Sequence, residues 1–525
     1  MEHVSQIGLK NRYLGKPSGD HNRWNHVKGV YTVGLIWLHR LYCGNSIPDH
    51  LLSSPLPDYE SARALVGYSL LLHDYGHLPF SHLLEEAIHS IHWVPAESGQ
   101  NSLEYTVLRD RLKEDRLTAD CLRKAIGNSL SMTASPTLKN DPLELILQLT
   151  HGWCGMPWLQ AIVNGPIDAD KIDYLRRDQT FIHAADFPVQ TRLPLYVNNQ
   201  FDEMPWLNEF LSEQFVNHAG LLCLQGRSAL AAIDLWRERL VLYDRFYLSP
   251  LVRAADRITL EIVQQFLIRS VMSAAFARHV AADPRLIDKS GSDMSDLKDI
   301  GELLSGPNGT PPAGINIVEV KYRAVTKLLN RLSQIFGKTG DRDLECFTFM
   351  KDHVLAVEST NNKYRDLLVS AVNSLETLTG AKALRSLAES SIIGAPMQFG
   401  REHLDTVRDL TRSFQQQYFA DVLIDVQAIP RVLSIPPPPR RTPRTKTPQF
   451  AQILVPKGPA EHWSSGSRDL EPLASEKVKS LEQPIGRMLL LCPQGVNRAK
   501  GRYVFDRLLA ELRQRRILYE EVDVD

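Results

Sequence analysis

The chain has 525 residues, 43% hydrophobic and 23% charged, proportions that suit more than one folded unit and exclude a largely disordered or fibrous chain. Sixty basic side chains against 61 acidic ones leave a formal charge of -1, so no global positive field points to nucleic acid or a membrane surface. The six cysteines stand apart without paired spacing, which excludes a disulfide framework and a thiolate zinc site. No apolar run reaches the length of a signal peptide or a membrane helix, so the expected location is the cytoplasm, with no membrane partner.

In chain order, the first feature is HNRWNHVKGV, His21 to Val30, which offers His26 as a metal-ligand candidate. From Tyr59 to Ser270 apolar residues recur mostly at helical spacing, as in Ala62, Leu65, Val66, Ser69 and Leu70 and again in Leu230, Ile233, Trp236 and Leu240, and the region reads as almost wholly α-helical. Asp283 to Asn316, with SGPNGTPPAG, reads as an irregular insertion. Helical periodicity returns at Val318 to Ile335 and at Leu344 to Leu378. VLIDVQAIPRVLSI then shows the near-alternation of a strand, followed by PPPPRRTPRTKTP, which cannot be helical. RMLLLCP reads as a short buried strand and Ala499 to Arg515 as an amphipathic helix. The expected architecture is mainly α, with a helical core over residues 1–282, an insertion over 283–317, a helical extension over 318–420 and a small α+β appendage over 421–525 that contains a proline-rich linker at 436–448.

The segment LLLHDYGHLPFSHLLEEA carries the densest chemistry, because an apolar helix delivers His73 and Asp74 side by side and then presents His77, His82 and Glu85. Mixed nitrogen and oxygen ligands suit manganese, iron, nickel or zinc better than calcium. Two ligands are too few, and the further candidates are His26 and Asp170, the latter in GPIDADKIDYLRRD, where Asp168 is placed to cap a helix that carries Asp170 inward. The competing reading of this segment makes Asp168, Asp170, Asp173 and Asp178 a solvated helix face paired with Lys171, Arg176 and Arg177.

The order H…HD…D resembles the HD-domain phosphohydrolases. The strings HNRxxH at His21 to His26, HDxGHxPFSH at His73 to His82 and DxDKxDYxxRD at Asp168 to Asp178 resemble their deoxynucleoside triphosphate triphosphohydrolase branch, over roughly the first half of the chain. The resemblance implies an HD-domain helical core with His26, His73, Asp74 and Asp170 as metal ligands and His82, oriented by Glu85, as general acid. It implies substrate contacts from Arg23, His77, Lys171, Tyr174, Asp178, Arg239 and Tyr247, with Gln6 and Ile7 beside the sugar. Leu248, Ser249 and Pro250 depart from the family's mammalian type, which implies a different nucleotide preference.

The expected activity is hydrolysis of deoxynucleoside triphosphates to deoxynucleoside and inorganic triphosphate, with a divalent transition metal in the HD site and Mg²⁺ on the substrate phosphates. The alternatives are an HD phosphodiesterase acting on another nucleotide or single-stranded nucleic acid, and a non-catalytic nucleotide-sensing scaffold. A homo-oligomer is expected from the relatives' assembly, with Arg498, Lys500 and Arg502 as candidates for an interface or an anion site, and pool balance or antiviral defence as the purpose. Nucleic-acid contact through Arg440 to Lys446 is the less favoured partner.

Overall fold

The structure is a computed structural model that describes residues 23–52, 58–74, 83–84, 86–87, 142–151, 154–181, 196–197, 200–201, 205–272, 348–351, 381–418, 422–428, 451–456, 470–472, 485–492 and 498–518. Among them helix dominates, and strands form a small share, as expected for a mainly α chain. No helix among them is long and apolar enough to cross a membrane. The insertion at 283–317 and the proline-rich linker at 436–448 lie outside the described residues.

Helix α1, Arg23–Cys43, buries Val27, Val30, Val33, Trp37, Leu38 and Leu41, a stripe with spacings of three and four. After the one-turn α2, Asp49–Leu52, helix α3, Tyr59–Leu72, begins where the Asp58 carboxylate accepts the Ser61 N–H at 2.7 Å. A cap of this kind contributes about 1 kcal/mol to helix stability. The buried face of α3 includes the Ala62, Leu65, Val66 and Leu70 stripe read from the sequence. Helices α4, Pro142–His151, and α5, Pro157–Asn164, pack beside it, and α6, Ala169–Phe181, lies against α1. Close approach of α1 and α3 requires a glycine, since a Cβ at Gly34 would sit 2.2 Å from Leu70 Cδ1.

Within 59–270, read as almost wholly helical, the described residues also hold two short hairpins. One pairs β1, Tyr196–Val197, with β2, Gln200–Phe201; the other follows α7, Pro205–Ser212, and pairs β3, Gln214–Val216, with β4, Leu222–Leu224. Strands of two or three residues are too short for an alternating pattern to emerge against helical neighbours. Helix α8, Gly226–Leu242, then runs into a π-helical turn, Tyr243–Tyr247, before α9, Pro250–Met272. The helices from α1 to α8 share one core whose largest members include Trp37, Trp158 and Phe210.

The C-terminal region starts earlier than the change of pattern near residue 420 suggests. Helix α10, Ala381–Ser391, leads directly into β5, Ile392–Gly400, inside the stretch expected to be helical. Helix α11, Leu404–Tyr418, and β6, Leu423–Ala428, follow, then β7, Ala451–Pro456, β8, Leu470–Pro472, β9, Ile485–Leu491, and α12, Arg498–Gln514. Strand β9 is central and antiparallel to both β5 and β6, and the sheet packs with α11 and α12 around Phe399, Met488, Leu490, Val504 and Leu508. Strand β7 joins the other half of the molecule: it pairs in parallel with β4, Leu222 opposite Ala451, and β8 pairs antiparallel on its far side. A two-pronged ion pair joins α9 to β6, Arg253 Nε to Asp425 Oδ2 at 2.9 Å and Nη2 to Oδ1 at 2.6 Å.

Candidate metal centre

Three helices bring the ligand candidates to one point. His26 lies one turn into α1, His73 and Asp74 follow the last residue of α3, and Asp170 is in the first turn of α6. That first turn forms as the sequence suggested: Asp168 Oδ1 accepts the Lys171 N–H at 2.8 Å, and the capped turn leaves Asp170 facing α1. His26 Nε2 is 3.3 Å from His73 Nε2 and 3.0 Å from Asp170 Oδ1. His73 Nε2 is 3.7 Å from Asp170 Oδ1, and the Asp74 oxygens lie 3.5 Å from His73 Nε2 and 3.8 Å from His26 Nε2.

The other nitrogen of each imidazole is already committed. His73 Nδ1 donates to the Leu70 carbonyl at 2.7 Å, one turn back along α3, and His26 Nδ1 donates to Asp173 Oδ2 at 2.7 Å. Both rings therefore present Nε2 to the two carboxylates, with tautomer and orientation fixed by the outer contact as in histidine metal ligands. Ligand atoms about 2.1 Å from one cation stand roughly 3.0–3.5 Å apart when they are neighbours in octahedral or tetrahedral geometry. Three of the five separations, 3.0, 3.3 and 3.5 Å, fall within that spacing, and the other two, 3.7 and 3.8 Å, lie just beyond it. His26, His73 and Asp170 present ligand atoms all within 4.8 Å of one another, a grouping suited to a divalent cation.

Charges in the cluster support one another. Burial alone would lower the His26 pKa, but hydrogen bonds to Asp170 and Asp173 outweigh it and raise the value to about 10. Burial would likewise lower His73, and Asp74 with Asp170 reverses the direction. The two imidazoles hold Asp170 well below the usual carboxylate range despite its burial, and His26 with Arg177 does the same for Asp173.

Asp173 corrects the solvated-face reading of this helix. It is buried, and besides His26 it binds Arg177 with both oxygens, at 2.9 Å to Nε and 2.7 Å to Nη2. A Cβ at Gly29 would meet Asp173 Oδ1 at 1.8 Å, so a glycine one turn beyond His26 is what admits the carboxylate. Asp168 is buried too and takes the Lys171 ammonium, which also donates to the Gly165 carbonyl at 2.9 Å. The signal for Asp173 was its spacing of three from Asp170, which puts both carboxylates on one helix face.

Beside the cluster lie five aromatic and charged residues, Arg239, Tyr243, Tyr247, Asp178 and Tyr174. Arg239, in the last turn of α8, is buried, and its Nε and Nη1 have no hydrogen-bond partner among the described residues. Its guanidinium lies 5.3 Å from the Tyr243 ring centroid, and Tyr243 meets Tyr247 edge-on at 4.9 Å. The Tyr247 hydroxyl donates to Asp178 Oδ2, across to α6. Burial first, then Asp178, raises the Tyr247 pKa well above its usual value, and Tyr174, half-buried near Arg239 and Tyr243, is raised similarly by burial. Tyr243 was overlooked in the sequence, although Arg239, Tyr243 and Tyr247 recur at steps of four. The π turn that carries the two tyrosines is a feature often found at functional sites.

Several residues assigned through the resemblance fall elsewhere. Gln6, Ile7, His77, His82 and Glu85 lie outside the described residues. Arg23 is the first residue of α1, and its side chain is outside them as well.

Fold and site together define a mainly helical protein with a histidine and carboxylate centre suited to a divalent metal. No protein-family model matches the chain. It is 26% identical over 179 residues to YwfO, an uncharacterised protein of Bacillus subtilis, a match covering 34% of this chain and 33% of that protein. It is 22% identical over 227 residues to an HD domain-containing protein of Acanthamoeba polyphaga mimivirus, covering 42% of each. The chain thus spans well under half the length of these curated relatives. Among solved structures, a phosphohydrolase from Bacteroides thetaiotaomicron aligns over 94% of this chain and 92% of its own, with a TM-score of 0.47 and 14% identity. A hypothetical protein from Aquifex aeolicus aligns over 96% and 91%, also with a TM-score of 0.47, at 16% identity.

Proposed function

We propose that this chain is a metal-dependent phosphohydrolase of the HD type whose substrates are deoxynucleoside triphosphates, cleaved to deoxynucleoside and inorganic triphosphate. The observation that carries the reading is the pair of imidazoles whose Nε2 atoms converge on Asp170 and Asp74 while their Nδ1 atoms are locked on Leu70 and Asp173. His26, His73, Asp74 and Asp170 would hold the cation, a divalent transition metal. When bound it supplies Lewis-acid polarisation of a phosphoryl oxygen and a more acidic water.

The rest of the chemistry belongs to the chain's own side chains. Arg239, a permanent cation with two buried donors unpartnered among the described residues, suits a phosphate oxyanion that arrives with Mg²⁺. Tyr174 and Tyr247, kept as neutral phenols, suit the apolar and hydroxylated faces of a sugar. His82, steadied by Glu85, is the proposed proton donor to the leaving 5′ oxygen. Water attacks the α-phosphorus, the bond from phosphorus to the 5′ oxygen breaks, and the proton taken from water is balanced by the one given to the deoxynucleoside. Assembly as a homo-oligomer in the cytoplasm belongs to the same proposal.

The test is to incubate the purified protein with each deoxy- and ribonucleoside triphosphate under Mn²⁺ or Mg²⁺ in ¹⁸O-labelled water and to weigh the products. The expected result is unlabelled deoxynucleoside and a triphosphate carrying one ¹⁸O. Nucleoside monophosphate with pyrophosphate would identify a different bond, and binding without turnover under either metal would mark a nucleotide sensor.

A further inference from the structure

The C-terminal sheet reaches the residues beside the metal cluster through the Arg487 side chain. Arg487 lies on β9 opposite Gln427 of β6 and Gln398 of β5, and it reaches the π turn between α8 and α9. Its Nη1 donates to the Asp244 backbone carbonyl at 2.8 Å, and its Nη2 pairs with Asp244 Oδ1. Carbonyls in the last turn of a helix lack intrahelical donors. The Leu248 and Ser249 N–H groups go to Tyr243 and Phe246, so the Asp244 carbonyl takes its donor from another element of the fold.

Asp244 sits between the two residues that matter for the site. Tyr243 precedes it and lies over the Arg239 guanidinium; Tyr247, three residues on, anchors to Asp178. We propose that Arg487 is a positioning residue for substrate phosphate: by clamping Asp244 it sets the π turn, and through Tyr243 and Tyr247 it holds Arg239 in the pose that meets an oxyanion. The inference rests on the reading of Arg239 as the anion-binding group and adds to it a long-range control, since Arg487 touches neither metal nor substrate. A π turn, whose wide ring leaves weak internal support, is the kind of segment an external clamp can set.

The experiment uses the full chain with Arg487→Gln, Arg487→Lys and Asp244→Asn, read by kinetics, metal content and amide hydrogen exchange. In Arg487→Gln, the amides of Tyr243 to Leu248 should exchange about tenfold faster, KM for a deoxynucleoside triphosphate should rise about tenfold, and kcat and metal content should stay near wild type, as expected for loss of a charge-assisted hydrogen bond outside the reacting atoms. Arg487→Lys should recover part of the KM loss. Adding Asp244→Asn to Arg487→Gln should cost little more, because the two side chains act as one unit. Unchanged exchange in the π turn, or faster exchange with unchanged KM, overturns the proposal. A wild-type protein without turnover on any deoxynucleotide would instead sink the functional reading, and exchange in the π turn would still decide whether Arg487 controls it.

Discussion

The two halves of the molecule bury very different side chains. Where α1, α3 and α6 meet, the interior holds His26, Asp168, Asp173, Arg177 and Asp178, every one a group that is costly to take out of water. The C-terminal core built from β5, β6, β9, α11 and α12 is closed by Phe399, Met488, Leu490, Val504 and Leu508, and its polar contacts with the helical half among the described residues include Arg253 with Asp425, Arg257 with the Ile424 carbonyl and Arg487 with Asp244. Desolvated charges persist only when they satisfy one another, and a connected set of them around two convergent imidazoles is an arrangement that packing alone does not call for. Under the proposed function, the helical half carries the chemistry and the sheet half supports it.

The largest effect that separates the halves comes from His73→Ala combined with Asp74→Ala. Two of four ligand candidates disappear, so the variant is expected to stay folded, to lose its tightly bound transition metal and to lose hydrolysis altogether. Metal analysis that finds full occupancy in the folded variant would dismantle the centre. On the other side, Phe399→Ala empties a fully buried aromatic site and is expected to lower stability by about 3–5 kcal/mol in denaturant titration. Metal content per folded molecule should not change; loss of metal before unfolding would erase the division of labour.

Asp173→Asn sharpens the comparison further, because it keeps the shape while removing the charge that orients His26. Metal affinity should fall roughly 10–100-fold, the usual scale for an outer-sphere partner, with little loss of fold. An affinity equal to wild type would make Asp173 a plain structural partner of Arg177. The smallest effect concerns protons. With the His26 pKa raised to about 10 and His73 raised as well in the metal-free protein, a cation displaces protons at neutral pH, so affinity rises with pH and binding releases protons. Calorimetry in buffers of different ionisation enthalpy reads their number, and zero release would exclude His26 as a ligand. The stability sign runs the other way: a raised pKa means that His26 stabilises the metal-free fold fully below its unfolded value near 6.5 and ceases to do so as pH climbs through about 10.

What the sequence determined by itself was local. The stripe on α3 that ends at His73 and Asp74, the Asp168 cap that turns Asp170 inward, the strand around residues 485–491 and the helix over residues 498–514 all follow from spacing and capping within one element. Tertiary structure alone decided what those elements meet. His26 and Asp173 are 147 positions apart, Tyr247 and Asp178 69, and Arg487 and Asp244 243. Periodicity reports which face of an element is buried but not which distant side chain covers it, so a carboxylate such as Asp173 looks solvated until α1 is laid against it. The same holds for β7, whose residues carry no mark of their parallel partner: the pairing with Leu222–Leu224 exists because the chain returns to that edge, and backbone hydrogen bonds there are indifferent to sequence.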